Sequence, residues 1–245
     1  MPNPQKIFIT GSADGLGLLA AKLLVSQGHQ VVLHARNAER GRQALASVPG
    51  AEAVLTADLS VMEETIQLAD KVNALGRFDA VIHNAGVYDL SAEQIFAVNT
   101  LAPFILTSLI TKPDRLIYLS SGMHQSGSNN IGKISVSNPK CSYSDSKLHV
   151  LMLCKVLARK WSSVFANAVD PGWVPTKMGG SNAPDNLQDG VVTQCWLAEG
   201  KDEATKVSGQ LFHHKRITAH NPLADDVGAQ EKLMELCRII TNYEL

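Results

Sequence analysis

The chain has 245 residues, 45% hydrophobic and 18% charged, with 22 basic against 23 acidic side chains. That composition excludes a disordered chain, and a net charge of −1 gives no electrostatic case for nucleic acid or an anionic membrane as partner. At about 150 residues per domain the length permits one or two domains, and no linker divides it, so a single domain over 1–245 is expected.

Lys6–Thr10 reads as a short apolar strand running into a Gly-rich turn. Leu16, Leu19, Ala20, Leu23 and Leu24 then repeat at helical spacing until Gln27-Gly28. Gln30–His34 is a second strand, and Asn37 caps a helix that runs to about Val48 and stops at Pro49-Gly50. Ala53–Thr56 is a third strand, Ser60 is the expected cap of a helix to about Leu75, and Asp79–His83 is a fourth strand. Further strands are expected at Arg115–Leu119 and Val164–Val169, with a long helix from about Ser142 to Trp161. Strand and helix alternate throughout, and the strands are continuously apolar. Both features predict an α/β fold, a Rossmann-type doubly wound parallel sheet with helices on both faces. Ser181–Asp189 reads as surface loop.

No apolar run reaches the length of a membrane span, and Met1–Lys6 lacks a signal-peptide core, so a cytoplasmic setting is expected. Cys141, Cys154, Cys195 and Cys237 have no Cys-x-x-Cys spacing and read as reduced thiols. The adjacent His213 and His214 point different ways, and no metal site is expected.

Thr10-Gly11-Ser12-Ala13-Asp14-Gly15-Leu16-Gly17 joins the first strand to the first helix. Gly11 suits a tight turn, and Gly15 and Gly17 let backbone approach a pyrophosphate at a helix N-terminus. A reader of the ribose is expected near the end of the second strand, where Ala35-Arg36 stands and no carboxylate does. Arg36 therefore points to NADP(H) over NAD, against the nearby charge of Asp14. Tyr143 and Lys147 fall at i and i+4, one helical turn apart on one face. Ser120-Ser121 follows the fifth strand, at the end of the sheet where ligands bind in open α/β folds.

With Asp58-Leu59, His83-Asn84-Ala85-Gly86, Asn99 and Pro171-Gly172 in order between residues 6 and 176, the chain resembles the short-chain dehydrogenase/reductase family. Ser208–Phe212 and the final amphipathic helix resemble its retinol-dehydrogenase-like branch. The resemblance implies an NADP(H)-dependent oxidoreductase that interconverts a carbonyl and an alcohol by hydride transfer. In it Asn99, Ser121, Tyr143 and Lys147 are catalytic, and Tyr143 is the general acid/base, its pKa lowered by Lys147. It further implies that Gly11, Ser12, Gly15, Leu16, Gly17, Arg36, Asp58, Leu59, Asn84, Ala85, Gly86, Tyr143, Lys147, Pro171, Gly172, Val174 and Thr176 bind the cofactor. Substrate specificity is expected in loops at 122–142 and 173–200, with Trp173 as a wall and an apolar small molecule as substrate. By analogy, copies pair through the helices that follow strands four and five, as a homodimer or homotetramer. A non-catalytic NADPH-binding redox sensor, or an epimerase or dehydratase on the same fold, are the alternative readings.

Overall fold

Strands that are apolar on both faces need cover on both faces, and the computed structural model, which describes residues 4–129, 131–134 and 139–245, supplies it. The strands β1 (Lys6–Ile9), β2 (Gln30–Ala35), β3 (Ala53–Thr56), β4 (Ala80–His83), β5 (Arg115–Leu119), β6 (Phe165–Val169) and β7 (Leu211–His213) are parallel. A short antiparallel β8 (Arg216–Ile217) follows, and the order is β3-β2-β1-β4-β5-β6-β7-β8. The helices are α1 (Gly15–Ser26), α2 (Ala38–Ser47), α3 (Met62–Ala74), α4 (Ala92–Phe96), α5 (Ala102–Leu109), α6 (Tyr143–Lys160), α7 (Asp189–Glu199) and α8 (Val227–Thr241).

The pleat sorts alternate strand residues between two cores. Ile7, Ile9 and Leu33 pack with Leu24 of α1 and Val191 of α7. Phe8 and Val32 pack with Leu68 of α3, Phe104 of α5 and Leu151 of α6. The chain reverses direction across the sheet between β3 and β4, because β4 pairs with the far side of β1. Ligands bind at such a reversal, beyond the carboxyl ends of the strands. Those ends deliver Gly11, Asn84, Ser121 and Pro171 to one edge of the sheet.

Asn37 caps α2 as expected, accepting from the Arg40 amide at 3.0 Å. Two expectations change. Ser60 does not cap α3: its amide and hydroxyl both donate to Asp58 Oδ1, at 2.9 and 2.6 Å, and α3 begins without a side-chain cap. The expected loop 173–200 ends in α7, because Val191, Cys195 and Leu197 give that stretch a face to bury against α1. Residues 130 and 135–138 of the expected loop 122–142, and residues 1–3 of the polar N-terminal stretch, lie outside the described residues.

Candidate active site

A cleft of about 440 Å³ opens at the strand ends, within the range of about 300–1,000 Å³ usual for small-molecule sites. Gly11, Gly15, Leu16, Arg36, Asp58, Leu59, Asn84, Ala85, Gly86, Tyr143, Lys147, Pro171 and Thr176 all line it.

The Gly-rich loop is shaped for close approach. Gly11 and Gly15 have φ of +64° and +52°, a region that side chains disfavour. A Cβ on Gly17 would lie 2.4 Å from Asn84 Nδ2 and 2.5 Å from the Gly11 carbonyl. Gly17 therefore seats the helix rather than lining the cleft. Asn84 Nδ2 donates to the carbonyls of Thr10 and Gly11 at 3.0 and 3.1 Å, which ties the end of β4 to the loop. Ser12 is turned inward: its hydroxyl donates to the Ile9 carbonyl at 2.9 Å and accepts from the His34 amide at 2.8 Å.

His34 carries no sequence signal, since it reads as one more residue of a buried strand. The Gly11 amide donates to its Nδ1 at 2.9 Å, so the ring proton is on Nε2 and is donated to the Ala57 carbonyl at 3.1 Å. Burial lowers its pKa to about 4, so it is a neutral brace beneath the loop.

Asp14 caps α1 by accepting from the Gly15 amide at 2.8 Å. Its Oδ2 also meets Lys177 at 2.6 Å and Arg40 at 3.2 Å. The hydrogen bond from Lys177, with the Gly15 amide and both cations, outweighs burial and holds the carboxyl below its ordinary range. Arg36, Arg40 and Lys177 all line the cleft. Neither Arg40 nor Lys177 belonged to a recognised motif.

Tyr143 and Lys147, which also line the cleft, project from the start of α6. Burial raises the Tyr143 pKa to about 12 against a hydrogen bond from Ser121 that pulls it down. The expected acidic phenol is thus not produced by the polypeptide's own groups. Lys147 Nζ stands 5.4 Å from the Tyr143 ring centre and donates to the Leu119 carbonyl at 2.8 Å. Burial lowers its own pKa to about 8. A Cβ on Gly86 would lie 3.2 Å from that ammonium and 3.5 Å from Asn99 Oδ1, so the glycine lets the two groups approach.

Asn99 sits in a single π-helical turn, Ala97–Leu101, between α4 and α5. Its Oδ1 accepts from the Val87 amide at 2.8 Å, and its Nδ2 donates to the Val87 carbonyl at 2.9 Å and Ser146 Oγ at 3.0 Å. Those bonds clamp the segment after β4 to α6, and the side chain does not line the cleft. Gly172 (φ +81°) and buried Val174 likewise fold the loop 171–178, the valine packing at Gly190, while Pro171 and Thr176 face the cleft. Tyr88 stands edge-on to Tyr143, ring centres 4.9 Å apart, and Met178 Sδ lies 4.0 Å from the Tyr143 hydroxyl. Both are exposed, 48% and 46%, as is Trp173 at 56%.

Comparison with known proteins finds relatives in one family. The family model described as short chain dehydrogenase matches residues 5–187. An uncharacterized oxidoreductase of Emericella nidulans is 45% identical over 249 residues, covering 96% of each chain. Human retinol dehydrogenase 13 is 29% identical over 200 residues, 71% of this chain and 60% of its own. A short chain dehydrogenase of Shigella flexneri, solved in complex with NADP, shares the fold with a TM-score of 0.70 at 24% identity, over 87% of this chain and 98% of its own.

Proposed function

The chain belongs to the short-chain dehydrogenase family and is an oxidoreductase, and from that premise we propose that it interconverts an aldehyde or ketone with the corresponding alcohol using NADP(H). The observation that carries this reading is that Tyr143 and Lys147 open into the same cleft as the Gly-rich loop and Arg36.

The residues fit a nicotinamide dinucleotide. Gly11 and Gly15 leave backbone bare at the N-terminus of α1, where a pyrophosphate is favoured. Arg36 and Arg40 fit a 2′-phosphate, and the partners of Asp14 offset the charge that would repel it. The NADP in the Shigella relative supports the same choice. Asp58 and Leu59 would meet the adenine, Asn84–Gly86 the adenosine half, and Pro171 and Thr176 the nicotinamide end. The bound cofactor supplies or accepts the hydride.

The chain's own residues handle the oxygen and its proton. Tyr143 gives its hydroxyl proton to the carbonyl oxygen in reduction and takes it back in oxidation. Ser121 hydrogen-bonds that oxygen and keeps it within reach. Lys147, still protonated at neutral pH, favours the phenolate when the proton has left. Asn99 holds the segment 85–87 that borders the ammonium. Tyr88 and Met178 offer apolar surface around the reacting hydroxyl, which suits an apolar substrate.

Tyr143→Phe tests the reading. Turnover on a panel of aldehydes, ketones and alcohols should fall by at least about 10²-fold, the scale of a lost general acid, while NADPH still binds by fluorescence titration. Retained turnover would falsify this assignment, and silence of the unaltered protein on the whole panel would favour a binding protein instead.

A further inference from the structure

Asp145 is buried at 4% exposure, yet it lies two residues beyond Tyr143, about 200° around the helix and so on the face turned away from the cleft. Its carboxylate accepts four hydrogen bonds from the described residues. Oδ2 takes the amide and hydroxyl of Ser142 at 3.0 and 2.7 Å, which closes the capping box of α6. Oδ1 takes the amide and hydroxyl of Ser128 at 2.8 and 3.0 Å. Burial pushes the carboxyl up, but the bonds from Ser142 and Ser128 outweigh it and hold the group ionised, below its ordinary range.

Ser142 begins the helix that carries Tyr143. Ser128 ends the segment that Ser121 begins. That segment is short and tightly built: His124 Nδ1 donates to the Ser121 carbonyl at 2.6 Å, and Asn221 Nδ2 donates to the carbonyls of His124, Gln125 and Gly127 at 3.3, 3.2 and 2.9 Å. At Gly127 a Cβ would lie 2.8 Å from both Leu148 Cβ and the Ser144 carbonyl, so the segment lies hard against α6.

We propose that Asp145 is a positioning residue whose carboxylate bolts the Ser121 segment to the start of α6 and so sets Ser121 in register with Tyr143. A carboxylate suits the task because all four partners are donors and it has only acceptors. Asparagine would turn an NH₂ group toward one of the two backbone amides and leave that amide unpaired. The effect on turnover rests on the function proposed above; the bolt itself does not.

The test therefore has two readouts on Asp145→Asn and on the milder Ser128→Ala. In hydrogen–deuterium exchange, amides of 121–128 should lose protection while those of 11–17 and of β1 and β4 keep theirs. In steady-state kinetics with NADPH, Asp145→Asn should lower kcat on the order of 10²-fold, as misplacement by about 1 Å does, with the Kd for NADPH within about twofold of the unaltered protein. Ser128→Ala should act in the same direction, less strongly, and add little to Asp145→Asn. Ser128→Thr, which keeps the hydroxyl, should restore most of the rate. Unchanged protection at 121–128, loss of protection spread evenly through the molecule, or loosening of 121–128 without a fall in kcat would each overturn the proposal. If Asp145→Asn does not fold, Ser128→Ala decides by the same criteria. An unaltered protein without turnover would strike the proposed function, and the exchange data would still judge the bolt.

Discussion

Arg40 and Asp14 show how a single side chain changes meaning once its neighbours are known. In the sequence Asp14 argues against a 2′-phosphate; in the fold its charge is met by Arg40 and Lys177. Arg40→Ala should weaken NADPH binding about 10- to 100-fold, the equivalent of about 1.5–3 kcal/mol for a charge-assisted hydrogen bond, and leave NADH binding nearly unchanged. Equal weakening of both dinucleotides in a titration would remove Arg40 from the phosphate site. Tyr143 yields a pH prediction. Burial raises its pKa to about 12, so the acid form that reduction needs is present throughout the neutral range. Carbonyl reduction should be flat from about pH 6 to 8. Alcohol oxidation, which needs the phenolate, should climb by up to about tenfold per pH unit over that range. Pre-steady-state rates that rise equally in both directions would contradict this.

The first strand–turn–helix unit was readable because its signals are local: a short apolar run, glycines where φ is positive, and a helix start. Its tolerance is a matter of packing. Gly17→Ala places a Cβ against Asn84 and Gly11, and overpacking of this kind costs about 1–3 kcal/mol. A fall in melting temperature of about 2–10 °C is expected, together with loss of dinucleotide binding; a variant with unaltered melting and binding would show that the loop is not the tight seat described. Elements whose role depends on distant partners were less legible. Asn99 was visible as a residue but not as the clamp in a π-turn, since Val87 and Ser146 are brought to it by two other elements. Helix α7 was hidden in an expected loop because its apolar face makes sense only against α1.

At the scale of the molecule, two consequences follow from burial. His34, His83 and His149 are held neutral, with pKa values lowered by burial to about 4, 3 and 4. Each is below the unfolded value near 6.5, so the unfolded chain takes up protons first as pH falls. Their contribution is intact above about pH 6.5 and is lost below it, at up to about 1.4 kcal/mol per pH unit for each histidine. The urea midpoint should drop between pH 6.5 and 4.5, and a midpoint constant over that window would refute the assignment. The second consequence concerns assembly. Residues 145–154 of α6 are buried on every side, with α8 and the turn Pro222–Asp225 packed over the face turned from the sheet. Nearly all of α5 is buried within the chain as well. α5 and α6, two of the helices through which pairing is expected by analogy, are largely buried within the chain, while α4 keeps Glu93 and Gln94 exposed. Sedimentation should give the 26.4 kDa mass of one chain. Removal of α8 should bare α6 and cause association.

The amino-acid sequence alone determined the doubly wound sheet, the Gly-rich turn and the residues that stand at the strand ends, because hydrophobic period and turn chemistry are written within a few residues of one another. Only the tertiary structure decided that Thr176 faces the cleft and Val174 does not, that His34 braces the loop, and that Asp145 binds two segments together. It alone also set the ionisation of Tyr143 and Lys147. Burial and hydrogen-bond partners govern all of these, and both are supplied by residues far away along the chain.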